Sequence, residues 1–124
     1  MKNSFNKQER LCSKKQMELL FNKGGSRVAY PVKLVFVETP VDLIYPAQVM
    51  FVVPKRTFKS SPDRNVLKRR MREVYRLNKQ NLYSILEAKK IKVLMAFIYT
   101  GKKKEDYSAI EAAVHKLMNG FKPH

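Results

Sequence analysis

Cysteine is nearly absent from this sequence of 124 residues, which contains only Cys12. A single cysteine excludes an intramolecular disulfide and also a zinc site built on cysteines, which needs two or more. Long apolar runs are missing too: the longest, residues 93–99, is far shorter than the ~20 residues that a membrane-spanning helix requires. The first residues are polar and charged, unlike the apolar core of a signal peptide. We therefore expect a soluble, cytoplasmic protein.

Residue patterns typical of enzyme active sites are also scarce. No paired carboxylates, Ser/His/Asp set or phosphate-binding loop can be recognised, and the basic turn that begins at Gly101 lacks the spacing of such a loop. The two histidines are isolated in the sequence, with His115 expected on a helix face and His124 in a frayed tail. The sequence thus predicts no catalytic residue and no metal site of its own.

Acidic residues are few relative to basic ones, because 10 Asp and Glu oppose 26 Lys and Arg, for a net charge of +16. A charge of this size destabilises the compact state by self-repulsion unless salt or an anionic partner is present. The candidate partners are nucleic acid, an anionic membrane surface or an acidic protein. The 44% hydrophobic content is that of a folded domain, and the length suits one domain.

Hydrophobic periodicity predicts three helices and three strands. The helices are predicted at residues 13–22, 61–78 and 107–119, and the strands at 32–37, 47–53 and 91–100, with a short extra strand near 27–29 and a short helical piece at 82–88. Residues 1–12 are expected to be flexible. The third strand is apolar almost throughout, which predicts burial on both faces. The order α-β-β-α-β-α, with helices on one side of the sheet, predicts a single-domain α+β fold over residues 1–124, a two-layer α/β sandwich.

The most informative segment is the helix predicted over residues 61–78, because its side chains are sorted by helical angle. At about 100° per residue, Leu67, Met71 and Val74 form one apolar stripe. An adjacent arc roughly 140° wide collects most of the cations. This basic arc consists of Arg64, Asn65, Lys68, Arg69, Arg72, Arg76 and Lys79.

A solvated surface is the alternative interpretation of such a charge run. Against it, ten basic residues and two acids lie between Lys55 and Lys79, whereas salt-bridged surface helices alternate in sign. Arginine is also preferred over lysine in the helix, which suits bidentate contacts with phosphate. We therefore predict that the basic arc binds a polyanion.

Two residues that are not cations, Asn65 and Glu73, lie among the basic residues of this helix. The sequence resembles the signature helix of the bacterial ribonuclease P protein subunit at Arg64-Asn65, Lys68-Arg69, Arg72-Glu73 and Arg76, preceded by a strand and the Pro54-Lys55-Arg56 loop. The resemblance covers most of the chain. It implies an α/β sandwich with a left-handed βαβ crossover around this helix, where sequence pattern alone favours the right-handed connection.

The resemblance also implies a function. In that family an RNA subunit carries the hydrolytic site of the endonuclease that matures the 5′ end of tRNA, with Mg²⁺ bound mainly by the RNA and the substrate. The protein would bind the RNA subunit and the 5′ leader of precursor tRNA, with no membrane and no obligate protein partner. By position, RNA-subunit binding falls on Arg64, Asn65, Lys68, Arg69, Arg72 and Arg76, and leader binding on Phe21, Phe36, Lys55 and Arg56. Val66 occupies a position where the family commonly has another cation, so the basic arc lacks one positive charge at its edge.

Two other functions would explain the charge. A ribosomal or RNA-chaperone type of binding protein accounts for it equally well, but not for the placement of Asn65 and Glu73. A DNA-binding protein could insert the basic helix into the major groove. However, the sequence shows no helix-turn-helix spacing, and strands flank the basic helix.

Overall fold

The fold is a four-stranded sheet with helices packed against it, described for residues 5–119 in a computed structural model. The elements in chain order are a 3₁₀ turn (Lys7–Glu9), α1 (Lys14–Lys23), β1 (Gly25–Ala29), β2 (Val32–Thr39), β3 (Ala47–Val52), α2 (Ser61–Lys89), β4 (Lys92–Tyr99) and α3 (Tyr107–Asn119). The predicted α+β class and order of elements are confirmed, and the short extra strand exists as β1.

The strands lie in the order β1-β2-β4-β3. β1 pairs with β2, and β2 with β4, in antiparallel fashion, whereas β3 and β4 are parallel. A parallel pair needs a crossover connection, and here α2 provides it. The predicted βαβ unit around the basic helix is therefore present. Its left-handed sense stays a prediction of the family resemblance.

Helices cover both faces of the sheet. Along β4, Met95 and Phe97 pack into the core beneath α2 and α3, and Leu94 and Ala96 pack with Leu20 of α1. The predicted burial of this strand on both faces is confirmed. The expectation that all helices lie on one side is corrected, because α1 occupies the opposite face. Helical periodicity shows that α1 has a buried side but not which sheet face receives it.

The basic helix is longer than predicted. A single helix of 29 residues runs from Ser61 to Lys89, where the sequence suggested an end near Asn78 and a separate piece afterwards. Pro62 and Asp63 in the first turn favour a helix start, and Ser60 occupies the capping position. The helix ends at Lys90, whose left-handed backbone (φ 57°) lets its N–H donate to the carbonyls of the last turn.

Helices α1 and α3 agree closely with prediction. The Ser13 hydroxyl caps α1 by accepting a hydrogen bond from the Gln16 N–H at 3.3 Å. Gly24 ends α1 where a Cβ would lie only 2.3 Å from the Leu20 carbonyl oxygen, so a side chain has no room. The predicted span of α3 is confirmed, whereas the tail expected to contain His124 lies outside the described residues.

The N-terminal segment, defined here as residues 5–12, is ordered against the domain. Its Leu11 N–H donates to the Val49 carbonyl at 2.9 Å, and Arg10 forms a parallel bridge with the same residue at the edge of β3. Glu9 and Leu11 are both buried. The expectation of flexibility is therefore wrong for this part of the chain, because it forms backbone pairs and core contacts with partners distant in sequence. Residues 1–4 lie outside the described range.

Candidate nucleic-acid interface

The first half of α2 presents an apolar side to the core and a basic side outward. Leu67, Met71 and Val74 are at most 1% exposed, which fixes the orientation of the helix. The predicted cations of this half remain accessible to a partner, and Val66 at their edge is half-buried. The exposed or half-buried members are Arg64, Asn65, Lys68, Arg69 and Arg72. Their individual roles in RNA binding stay predictions.

Arg64 also has a structural task. One guanidinium nitrogen, Nη1, donates to the carbonyl oxygens of Phe58 at 2.7 Å and Lys59 at 2.9 Å. These bonds hold the loop that precedes α2 against the first turn of the helix. Lys55 and Arg56 lie exposed in the same loop. The structure therefore brings both predicted leader-binding cations close to the start of the basic helix.

Arg76 is paired within the helix. Its guanidinium donates to both carboxylate oxygens of Glu73, at 2.6 and 3.2 Å. The hydrogen bond from Arg76 holds the pKa of the Glu73 carboxyl below its ordinary value, and the same bond raises the pKa of Arg76. Part of the positive charge of Arg76 is therefore neutralised by Glu73 of the same helix.

Lys79 does not belong to the accessible arc. Its ammonium lies 2.6 Å from the Glu9 carboxylate, and the two side chains are 3% and 1% exposed. The hydroxyl of Tyr83 donates to the same oxygen of Glu9 at 2.5 Å. The N-terminal segment thus covers α2 at Lys79 and Tyr83, so the accessible part of the predicted arc ends at Arg76. The sequence-based placement of Lys79 on the polyanion-binding arc is wrong.

Two sources of positive charge near α2 were not assigned from the sequence. Arg10 of the ordered N-terminal segment lines a cleft together with Arg72 and Arg76 of α2. The basic turn Lys102–Lys104 is joined to α2 by an ion pair between Lys104 and Asp63 (2.9 Å) and by a hydrogen bond from Arg70 to the Glu105 carbonyl (2.7 Å). The turn was recognisable from its composition, but its position beside the helix depends on these long-range contacts.

The two predicted leader-binding aromatics have different surroundings. Phe21 on α1 is 50% exposed, so its ring is open to a partner. Phe36 is 7% exposed and belongs to the core cluster beneath α2 and α3. The predicted role of Phe36 in leader binding is therefore corrected, because its ring is not accessible to a partner. Strand alternation explains the error, because its neighbour Val35 faces α1 and Phe36 faces the opposite side.

The face of the sheet next to α1 is only partly covered. A row across the four strands joins Val28, Lys33, Ile98 and Val52 in direct register. Val28 is 67% exposed and the other three are half-buried. The chain leaves this row at Val52 and continues directly into the loop of Lys55. These four residues form an open strip that is apolar except for Lys33. The strip ends beside the exposed cations Lys55 and Arg56, which form its basic rim.

Across residues 5–119 no three His, Cys, Asp or Glu side chains are grouped so as to hold a metal ion together. None of the helices described combines the length and the apolar character needed to cross a bilayer.

The fold and this surface together define an α+β protein with a long helix suited to polyanions. A family model described as Ribonuclease P matches residues 5–122. The chain belongs to the ribonuclease P protein family.

Known relatives agree with this assignment. The chain is 30% identical over 112 residues to the ribonuclease P protein component of Porphyromonas gingivalis strain W83, covering 90% of this chain and 82% of that protein. It is 32% identical to the ribonuclease P protein component of Chlorobium phaeobacteroides, covering 97% of this chain and 89% of that protein.

Solved structures support the fold. The RNase P protein of Thermotoga maritima matches with a TM-score of 0.71 at 23% identity, covering 92% of this chain and 98% of that one. The Staphylococcus aureus RNase P protein matches with a TM-score of 0.72 at 15% identity, covering 90% and 93% of the two chains.

Proposed function

We propose that this chain binds the ribonuclease P RNA through the first half of α2 and assists the 5′ maturation of precursor tRNA, while the RNA subunit carries out the hydrolysis. The observation that carries the proposal is the accessible basic side of α2. Arg64, Lys68, Arg69 and Arg72 lie there, and none of them forms an ion pair within residues 5–119. Cations without acidic partners are available to neutralise phosphates.

The mechanism on the RNA side is electrostatic. Each phosphate neutralised by a lysine or arginine releases condensed counterions, which drives binding and makes it dependent on salt. Because α2 is anchored by buried residues along its length, its cations keep a fixed spacing when the partner binds. Arginines in this arrangement can grip phosphate oxygens in a bidentate manner. The helix therefore acts as a rigid basic ridge against the folded RNA.

The precursor leader is proposed to occupy the open strip of the sheet beside α1. Val28, Ile98 and Val52 offer apolar contacts to an extended single strand, and Lys33 lies among them. Lys55 and Arg56 would neutralise its phosphates at the rim. The half-exposed ring of Phe21 can stack on a base, an interaction that tolerates any sequence.

Mg²⁺ is proposed to be held by the RNA subunit and the substrate phosphates. Asn65, which is exposed and neutral among the cations, would at most contact a hydrated ion in the outer sphere. The protein would raise the local affinity for Mg²⁺ by placing the two RNAs correctly. Such a complex would work in the cytoplasm.

A reconstitution assay tests this function. The purified chain is added to the ribonuclease P RNA of the same genome with precursor tRNA at low Mg²⁺, where the RNA alone cleaves poorly. Restored cleavage at the mature 5′ end is expected. A chaperone-type protein would bind the RNA without restoring cleavage, and a DNA-binding protein would prefer duplex DNA. No stimulation at any Mg²⁺ concentration would exclude the proposal.

A further inference from the structure

We propose that the cleft between the N-terminal segment and α2 is a nucleotide site, in which Arg10 and Arg72 bind one RNA phosphate and Phe5 contacts the attached nucleoside. The inference rests on the proposed function, because the phosphate is one of the RNA backbone. It adds to that function a residue outside the basic helix, Arg10, and a specific location for one nucleotide.

The cleft has the size and the charge for such a ligand. Its volume is about 300 Å³, at the lower end of the range typical of small-ligand sites. Its described lining contains three arginines and a single acid. The lining residues are Phe5, Arg10, Arg72, Glu73 and Arg76.

The single acid, Glu73, is bound by Arg76 and also attracts Arg72, so the described lining keeps an excess of positive charge. Glu73 accepts two hydrogen bonds from Arg76, which occupies both of its oxygens. Arg10 and Arg72 form no ion pair with any residue between 5 and 119. Two guanidinium groups that border one small cleft repel each other unless an anion lies between them. A phosphate would satisfy both, and guanidinium forks match its geometry.

Arg10 is held in place from both sides along the chain. On one side Glu9 is buried, with its carboxylate bound by Lys79 and Tyr83. On the other, the Leu11 N–H is bonded to the Val49 carbonyl. The backbone of Arg10 is therefore already ordered at the edge of β3, and only its side chain remains to be ordered. Prior ordering of this kind lowers the entropic cost of binding.

Phe5 offers a fixed aromatic edge to the same cleft. Its ring packs edge-on against Phe51 and Tyr75, each with ring centroids 5.9 Å away, and the residue remains half-buried. A ring that is anchored on one side and borders a basic cleft is suited to stack on a base or pack on a ribose. The phosphate-binding arginines and the aromatic ring thus line the same cleft, where a single nucleotide can contact both.

The test measures the affinity of the full-length protein for the ribonuclease P RNA at several salt concentrations. Arg10→Ala is expected to bind about tenfold more weakly at moderate salt, the effect of losing one charge-assisted contact. Arg10→Gln, which retains the aliphatic stem, is expected to show the same loss. Lys116→Ala is the matched control, because it removes one exposed charge on α3 and should change the affinity less than about twofold. Thermal unfolding verifies that each variant is folded.

Shared binding of one phosphate predicts coupling between the two arginines. The effect of the Arg10→Ala, Arg72→Ala double variant should be clearly smaller than the product of the single effects. The proposal is overturned if both Arg10 variants bind like Lys116→Ala, or if the two arginine effects simply multiply.

A triple variant with alanine at Arg64, Lys68 and Arg72 distinguishes failure of the cleft site from failure of the proposed function. If it loses affinity while the Arg10 variants do not, only the cleft is wrong. If it too binds like the parent protein, the proposed function fails.

Discussion

Lys79 and Glu9, separated by 70 residues in sequence, meet in the interior with 2.6 Å between ammonium and carboxylate. Both side chains are almost fully buried, at 3% and 1% exposure. Tyr83 donates a second hydrogen bond to the same carboxylate. This cluster holds the N-terminal segment against α2. Lys79 therefore has a structural role, although its position on the helix predicted an RNA contact.

Removal of one partner of this buried pair should destabilise the fold strongly. Lys79→Met leaves the Glu9 carboxylate without its counter-charge in the interior, which costs roughly 3–5 kcal/mol. The free energy of unfolding measured by urea denaturation checks this. The double variant Glu9→Gln, Lys79→Met removes both charges and keeps an acceptor for Tyr83, so it should recover most of the loss. A double variant as unstable as the single one would contradict the role of the ion pair.

Local pattern was sufficient for α3 and β4. The apolar spacing of Ile110, Ala113, Val114 and Leu117 defines one buried helix face, and all four are buried. The nearly continuous apolar run of β4 predicted burial on both faces because no polar position interrupts it. In both cases the residues that decide the structure lie close together in sequence.

Long-range partners explain what the sequence did not show. Lys79 lies on the same helical arc as its exposed neighbours, and its burial depends on an ion pair with Glu9, on a segment expected to be flexible. The orientation of Phe36 depended on the register of β2 within a sheet that has helices on both faces. Similarly, the continuity of α2 past Asn78 follows from core contacts of Leu82 and Leu86, which outweigh the polar residues between.

The two tyrosines of α2 should respond differently to loss of their hydroxyl groups. The Tyr75 hydroxyl is buried near that of Tyr83 but has no well-aligned hydrogen-bond partner among residues 5–119. Burial raises the pKa of Tyr83 far above its ordinary value, with Tyr75 and Glu9 adding to the effect, so its hydroxyl stays protonated as a donor to Glu9. Tyr83→Phe should cost about 1.5–3 kcal/mol, whereas Tyr75→Phe should be neutral or stabilising. Thermal or urea unfolding of the two variants provides the comparison, and equal losses would refute it.

Phe36 and Phe21 should separate stability from leader binding. Phe36→Ala creates a cavity in the core and should reduce the free energy of unfolding by about 3–5 kcal/mol. Phe21→Ala should change stability by about 1 kcal/mol or less, because half of its surface is already exposed. Phe21→Ala should instead weaken binding of precursor tRNA relative to mature tRNA by the holoenzyme. An unchanged ratio of the two affinities would remove Phe21 from the leader site.

Glu73 should titrate at an unusually low pH. Arg76 lowers the pKa of the folded carboxyl below its ordinary value of 4.5, chiefly through the hydrogen bond between them. Since the folded pKa is the lower one, the contribution of this pair to stability is present above the unfolded pKa and disappears as the pH falls through the folded value. The carboxyl carbon signal of Glu73 in NMR should show a midpoint below 4.5 that rises in Arg76→Gln. If the midpoint does not move in that variant, Arg76 is not the cause.

The salt dependence of RNA binding tests the orientation of the whole helix. Replacing Arg64, Lys68 and Arg72 with alanine removes three cations that α2 holds at fixed spacing on its accessible side. If each neutralises one phosphate, the slope of log K against log salt should become shallower by about 2–3, since each contact contributes roughly 0.7–0.9. A control variant with alanine at Lys15, Lys89 and Lys116 removes the same charge from exposed positions on three helices and should leave the slope nearly unchanged. Equal slopes for the two triple variants would mean that net charge alone attracts the RNA, and that the sorted cations of α2 do not face it.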